Sequence, residues 1–275
     1  MGMSKRMTID VDGLGASYLT AGEPGWPTVL LLHGTYWSRV WLPVIDGLAA
    51  AGLRPVAVDL PGLGRSEGEL TAASATVPAL AGWVARFAEA LGVAGPLAVA
   101  GHDIGGALAQ HLLAGDGPQV RRLALVNSVT YDSWPVPGVA RYRDPDVVAA
   151  TTAAELRAAR LTAVTTALAR PATEAELADY VDPWSDQRVC RSWMALAGAA
   201  DSRYTLDLVP ALKSDPTPKL LIWGEDDTFQ EIRYAERFAA EMPATTLVRI
   251  PEAGHIPMEN DPATVTRALA DFFLE

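Results

Sequence analysis

The sequence predicts an α/β fold: a mostly parallel central sheet, helices on both of its faces, and a helical insertion between two late strands. Three observations carry this expectation. Short apolar runs of strand length alternate with amphipathic stretches of helix length, a rhythm that calls for right-handed crossovers between parallel strands. One such run, Leu97 to Ala100, turns into a helix within a few residues through Gly101-His102-Asp103-Ile104-Gly105-Gly106. And from about Tyr131 to about Leu208 there are helical patterns but no convincing strand.

In chain order, residues 7–12 and 15–20 flank Gly13-Leu14-Gly15 and read as a hairpin leading into the fold. Thr28 to Leu32 is a short apolar strand that ends in His33-Gly34-Thr35-Tyr36-Trp37, and Trp41 to Ala51 is an amphipathic helix stopped by Gly52. Pro55 to Asp59 is the next strand, and Val77 to Leu91 the next helix. After the 97–106 turn, Ala107 to Leu113 is helical and Leu123 to Val126 is a strand. Pro218 to Trp223 and Thr246 to Ile250 supply two more strands around a helix at Gln230 to Met242, and Pro262 to Leu274 is a final amphipathic helix. Within the insertion, Trp134-Pro135-Val136-Pro137-Gly138 is followed by an Ala-rich helical stretch from Asp146 to Ala169, then by Glu174 to Val181 and Gln187 to Ala199. A plain crossover needs only about 10–12 residues, so this segment is read as a cap over the strand ends. The expected division is a core in two parts, 1–130 and 209–275, with the cap at 131–208.

Composition narrows the function classes. The 275 residues are 49% hydrophobic and 20% charged, enough for a sizeable core, with a net charge of −11. That charge argues against nucleic acid or an anionic membrane as partner. Cys190 is the single cysteine, and His33, His102, His111 and His255 show no metal-ligand spacing. Met1 to Arg6 lacks the apolar core of a signal peptide, and no apolar run approaches the ~18 residues of a membrane span. The expectation is a soluble cytoplasmic protein that takes a small-molecule substrate and water; a homodimer is left open.

A strand that reverses into a helix needs small residues around the apex, because a Cβ there would clash, and it exposes the apex side chain at the top of the sheet. Here the apex is Asp103. As a bare residue, Asp103 also fits an N-cap of the following helix. His255, in Pro251-Glu252-Ala253-Gly254-His255, and the acidic run Glu225-Asp226-Asp227 each follow a strand directly.

Over nearly its whole length the chain resembles the α/β-hydrolases. Its Gly-His-Asp-Ile-Gly-Gly resembles the subgroup with an aspartate nucleophile, the epoxide hydrolases and haloalkane dehalogenases. The resemblance implies Asp103 as nucleophile, His255 as the base that activates water, and Asp227, three residues past Gly224, as the acid that orients it. Some dehalogenases place the acid after the preceding strand, where Asn127 and Asp132 are nearest. His33-Gly34-Thr35 resembles the oxyanion loop, so Thr35 and Ile104 would each offer a backbone N–H, with His33 and His102 packed beneath. The loop departs from the family in continuing Tyr36-Trp37 rather than with proline. No cofactor or metal is implied.

An aspartate at this place suits attack on saturated carbon, displacing a halide or opening an epoxide to leave an alkyl ester. Dehalogenases cradle the halide with N–H donors, typically including a tryptophan just after the nucleophile, where this chain has Ile104; Trp37 is the substitute at hand. Epoxide hydrolases protonate the leaving alkoxide with cap tyrosines. Among Tyr131, Tyr142, Tyr180 and Tyr204, Tyr204 is the first choice and Tyr142 or Tyr180 the second. Trp134, Trp184 and Trp193, together with Tyr36, are expected to line an apolar pocket. The expectation is an epoxide-hydrolase-like enzyme with an apolar substrate. The alternatives are a haloalkane dehalogenase with an atypical halide site, an ester or lactone hydrolase, and a non-hydrolytic lyase or cyclase.

Overall fold

The structure is a computed structural model that describes residues 3–93, 95–115 and 117–275; Met1 and Gly2 of the N-terminal stretch lie outside the described residues. The hairpin joins β1 (Lys5–Val11) to β2 (Leu14–Thr20). Its turn is Asp12-Gly13, both at positive φ, which is the twist-matched two-residue turn that Asp-Gly favours. Leu14, expected within the turn, therefore already belongs to β2.

The remaining strands are β3 (Thr28–Leu32), β4 (Arg54–Val58), β5 (Leu97–Asp103), β6 (Val120–Ser128), β7 (Lys219–Gly224) and β8 (Thr245–Ile250). They form one sheet in the order β1-β2-β4-β3-β5-β6-β7-β8. The first three in that order pair antiparallel, and every pairing from β4 to β8 is parallel. β5 and β7 are buried along their whole length, as expected of strands covered on both faces. At the edge, β8 is largely half-exposed or exposed.

Helix α1 (Leu42–Ala50) and α2 (Val77–Ala90) cross between strands, and α3 (Ile104–Ala114) follows β5 with no intervening residue. The expected start at Ala107 is three residues late. Gly105 and Gly106 are not helix breakers here but contact points: a Cβ on Gly105 would strike the Leu32 carbonyl, and one on Gly106 the Ser128 side chain. They let α3 lie close on β3 and β6.

Between β6 and β7 the described residues form helices only, from Pro137 to Ser214. Glu174–Val181 and Gln187–Ala199 fall where the pattern places them. The expected long helix at 146–169 is instead two, Pro145–Ala150 and Ala153–Leu168. The break is a capping box: Thr152 accepts from the Glu155 N–H, and the Glu155 carboxylate accepts from the Thr152 N–H. Among the described residues, no helix is long and apolar enough to cross a membrane.

Candidate active site

Asp103 sits at the C-terminal end of central β5 with φ 56° and ψ −129°, a conformation that costs a non-glycine residue about 1–3 kcal/mol. The close packing of the glycines around it holds that geometry. The N-cap reading is excluded by the carboxylate's partners, since it accepts nothing from the turn it precedes. Instead Oδ2 accepts from the Thr35 backbone N–H at 2.8 Å and from the Thr35 hydroxyl at 2.6 Å. A Cβ on Gly34 would meet both Ile104 N and the Asp103 carboxylate, so only glycine lets the β3 loop come this close. Oδ1 accepts no hydrogen bond among the described residues.

Asp227 and His255 arrive from the ends of β7 and β8. His255 Nδ1 donates to Asp227 Oδ2 at 2.8 Å, which leaves Nε2 as the ring's free nitrogen. Asp227 Oδ2 also accepts from Asn127 Nδ2 at 2.7 Å, and Oδ1 from the backbone N–H groups of Phe229 (2.7 Å) and Gln230 (3.0 Å). Burial would raise the Asp227 carboxyl, but His255 and these donors hold it below its ordinary range. Burial would likewise lower His255, yet the adjacent Asp227 carboxylate outweighs it and raises the imidazole above 6.5. Of the other acid candidates, Asp226 and Asp132 are exposed. Asn127, held at φ 39°, anchors Asp227 on one side and accepts from the Gly224 N–H at 2.9 Å on the other.

The two remaining buried histidines are structural, as expected. His33 Nε2 accepts from the Leu60 N–H while Nδ1 donates to the Gly34 carbonyl, which sets its tautomer and fixes the loop. His102 Nε2 donates to the His255 carbonyl at 2.8 Å. Burial, reinforced by the neighbouring His255, pushes His102 down to about 4, so it stays neutral beneath the site.

A cavity of about 210 Å³ opens over Asp103 and His255. Of the expected pocket residues, Tyr36, Trp134, Tyr142 and Trp193 line it, with Thr35 and Ile104 at its floor. Five others do not, and tertiary contacts explain each. Trp37 donates its indole N–H to the Tyr180 carbonyl at 3.0 Å. The Tyr131 hydroxyl is drawn to Glu241 (3.2 Å), and that of Tyr180 to Glu259 (2.7 Å). Trp184 is packed behind Arg160, its ring centroid 5.3 Å from the guanidinium carbon. Tyr204, the first choice for protonating a leaving group, lies against α3, where its ring and carbonyl meet His111. The indoles that do reach the cavity are already engaged: Trp134 donates to Thr205 Oγ1 and Trp193 to the Thr35 carbonyl, both at 2.8 Å.

Among the lining residues that were not anticipated, Arg160 is a buried charge. Arg160 is 5% exposed. It lies on the same helical face as buried Leu156 and Val164, and its guanidinium carbon sits 4.7 Å from the Trp193 ring centroid and 5.0 Å from that of Tyr36. A charged residue at an i, i+4, i+8 position of an apolar stripe was the available signal. Burial pushes the Tyr36 phenol well above its ordinary value in spite of this neighbouring cation, so Tyr36 keeps its proton.

The alpha/beta hydrolase family model matches residues 29–268. The dihydrolipoyllysine-residue acetyltransferase component of the acetoin cleaving system from Cupriavidus necator is 42% identical over 124 residues, which is 44% of this chain and 32% of that relative. Across nearly the full chain, the cis-3-alkyl-4-alkyloxetan-2-one decarboxylase of Xanthomonas campestris is 23% identical, covering 94% of this chain and 92% of the relative. Among solved structures, a haloalkane dehalogenase from Bradyrhizobium elkani superposes with a TM-score of 0.83 at 24% identity, over 98% of each chain. With the 29–268 match covering the parallel strands from β3 to β8 and both strand-end loops that bear Asp227 and His255, the chain belongs to the alpha/beta hydrolase family.

Proposed function

We propose that the protein is a hydrolase that opens a strained C–O bond, in the manner of an epoxide hydrolase, through a covalent ester on Asp103. The observation that carries this reading is the orientation of Asp103: a carboxylate at the elbow apex, held by Thr35 on one oxygen and facing the same cavity as the His255–Asp227 pair. In the first step Oδ1 attacks a ring carbon, the C–O bond breaks, and its electron pair stays on the ring oxygen. Tyr36, protonated and lining the cavity, supplies the proton to that alkoxide, with Tyr142 as the second tyrosine of the lining. In the second step His255 Nε2 takes a proton from water, whose oxygen attacks Cγ of Asp103. The Thr35 N–H stabilises the oxyanion. On collapse the Cγ–Oδ1 bond breaks and His255 passes its proton to the departing alkoxide to release the diol. The water's second proton returns to the Tyr36 phenolate, which restores both carboxylate and phenol.

Tyrosines rather than indoles favour an oxygen leaving group. The N–H groups of Trp37, Trp134 and Trp193, which a halide would need, are bound to protein acceptors. The oxetan-2-one in the name of the Xanthomonas relative is also a strained ring with a C–O bond at saturated carbon, and it is the second reading.

The test is intact-mass spectrometry of His255→Gln after incubation with panels of epoxides, β-lactones and haloalkanes. The expected result is a stable gain equal to the whole mass of an epoxide, mapped to Asp103 and absent in Asp103→Asn. A gain equal to a haloalkane less hydrogen halide, or no gain with any compound that the unaltered protein turns over, overturns it.

A further inference from the structure

We propose that Arg160 holds a carboxylate of the substrate, so that the ring opened at Asp103 belongs to a small epoxy acid rather than to a neutral, purely apolar epoxide. This deepens the reading of Asp103 as nucleophile and rests on it for the reacting carbon.

Arg160 is buried on the cap side of the cavity, yet its Nε and Nη2 have no hydrogen-bond acceptor among the described residues. Leaving charge-bearing donors buried and unmade is expensive, so a group in this state calls for an explanation. Nε–H and Nη2–H form one edge of the planar guanidinium, two nearly parallel donors spaced to match the two oxygens of a carboxylate. The rings of Tyr36, Trp184 and Trp193 surround the cation at 4.7–5.3 Å. Their faces stabilise positive charge and the Tyr36 hydroxyl is a further polar neighbour of the guanidinium, yet Nε and Nη2 stay without an acceptor.

The charge around the cavity points the same way. Although the chain carries −11 overall, the fully charged side chains lining this cavity are Arg141, Arg160 and Asp103. Arg141 is exposed, placing a second cation where an anion could be drawn in. Arg160 does not merely neutralise Asp103. The two form no ion pair among the described residues, and the Asp103 carboxylate is held by Thr35. The Tyr36 ring is a neighbour of both the Arg160 guanidinium (5.0 Å) and the His255 ring (5.8 Å), so the anion site and the reacting groups share one wall of the cavity.

The experiment has a kinetic arm and a binding arm. In the first, kcat/KM is compared for 3-phenyloxirane-2-carboxylate and 2-methyl-3-phenyloxirane, which differ by carboxylate against methyl. The unaltered protein is expected to favour the carboxylate by roughly 10- to 100-fold, and Arg160→Met to lose that preference. In the second, 3-phenylpropanoate and 3-phenylpropanamide are titrated into the unaltered protein and into Arg160→Met and Arg160→Lys, followed by tryptophan fluorescence. The acid is expected to bind at least 10-fold more tightly than the amide, to lose that advantage in Arg160→Met, and to keep part of it in Arg160→Lys. Equal affinity for acid and amide in the unaltered protein overturns the proposal whatever the variants do. So does a loss of turnover in Arg160→Met that is equal for both epoxides, because it would make Arg160 the receiver of the leaving oxygen. If neither epoxide is opened but the acid binds through Arg160, the anion site stands and only the ring-opening chemistry fails.

Discussion

On the sheet side of the cavity, protein partners hold the proposed catalytic side chains in place, although His102 Nδ1 and Gln230 Oε1 have no hydrogen-bond partner among the described residues. Asp227 takes four hydrogen bonds, Asp103 is held by Thr35, and His33 and His102 are tied to backbone groups beneath. On the helical side a charged group is left unpaired: Arg160 is equally buried, and two of its nitrogens have no acceptor among the described residues. The first arrangement fixes geometry before any ligand arrives and costs nothing further at the moment of reaction. The second keeps binding capacity unspent, at some expense to the stability of the unliganded protein. On the proposed reading, machinery for the chemical step is concentrated on the strand ends, and selectivity is built into the helices above them.

Four experiments test this contrast. The largest effect is expected from Asp227→Asn, which takes away the acceptor that sets the His255 tautomer; hydrolysis of the ester intermediate should slow by a factor on the order of 10³–10⁴. Single-turnover kinetics would read this as accumulation of the Asp103 adduct, and an unchanged rate would mean another acid is in use. Tyr36→Phe should slow ring opening by about 10²–10³ while leaving the second step alone. If Tyr142→Phe does this instead, the proton comes from Tyr142.

The pH dependence comes next. His255 must be neutral to act as base, and its folded-state value is raised above 6.5. Activity should therefore fall as pH drops through a limb lying above 6.5. In Asp227→Asn burial and the Arg160 cation would lower it with Asp103 alone opposing them, so the limb should move to lower pH. A limb that stays in place in that variant would show that another group titrates.

The smallest effects concern stability, where the two kinds of buried charge should differ in sign. Arg6 pairs with fully buried Asp59 at 2.8 Å, and Arg6→Met strips a carboxylate of one of its partners. Asp59 keeps the N–H groups of Ser38 and Arg65, so a loss of about 1–3 kcal/mol is expected by urea unfolding. Arg160→Met replaces an uncompensated buried cation with an apolar chain of similar length. It should be neutral or stabilising by up to about 2 kcal/mol. A large loss of stability in Arg160→Met would mean that its contacts with Tyr36, Trp184 and Trp193 are structural.

What was legible in the sequence follows from what is local. The β3 run, the Asp103 apex and the placement of Asp227 and His255 after their strands depend on a few adjacent residues, and the structure brings all three side chains to one end of the sheet. The tyrosines were not legible in this way. Tyr131 and Tyr180 are claimed by Glu241 and Glu259, 110 and 79 residues further along the chain, and no spacing announces such pairings. Tyr204 had the right neighbours in sequence and the wrong face in space. Arg160 was detectable as a charge on an apolar helical stripe, but a stripe alone does not tell a buried cation from one that snorkels to water.

The backbone of the site was thus determined by the sequence itself, because steric exclusion acts between near neighbours. Gly34, Gly101, Gly105 and Gly106 admit contacts that any Cβ would block, and those contacts put Asp103 at the apex. Tertiary structure alone decided which side chains of the helices between β6 and β7 look into the cavity. That choice depends on how each helix is rotated and docked against the sheet, and only the assembled molecule settles that rotation.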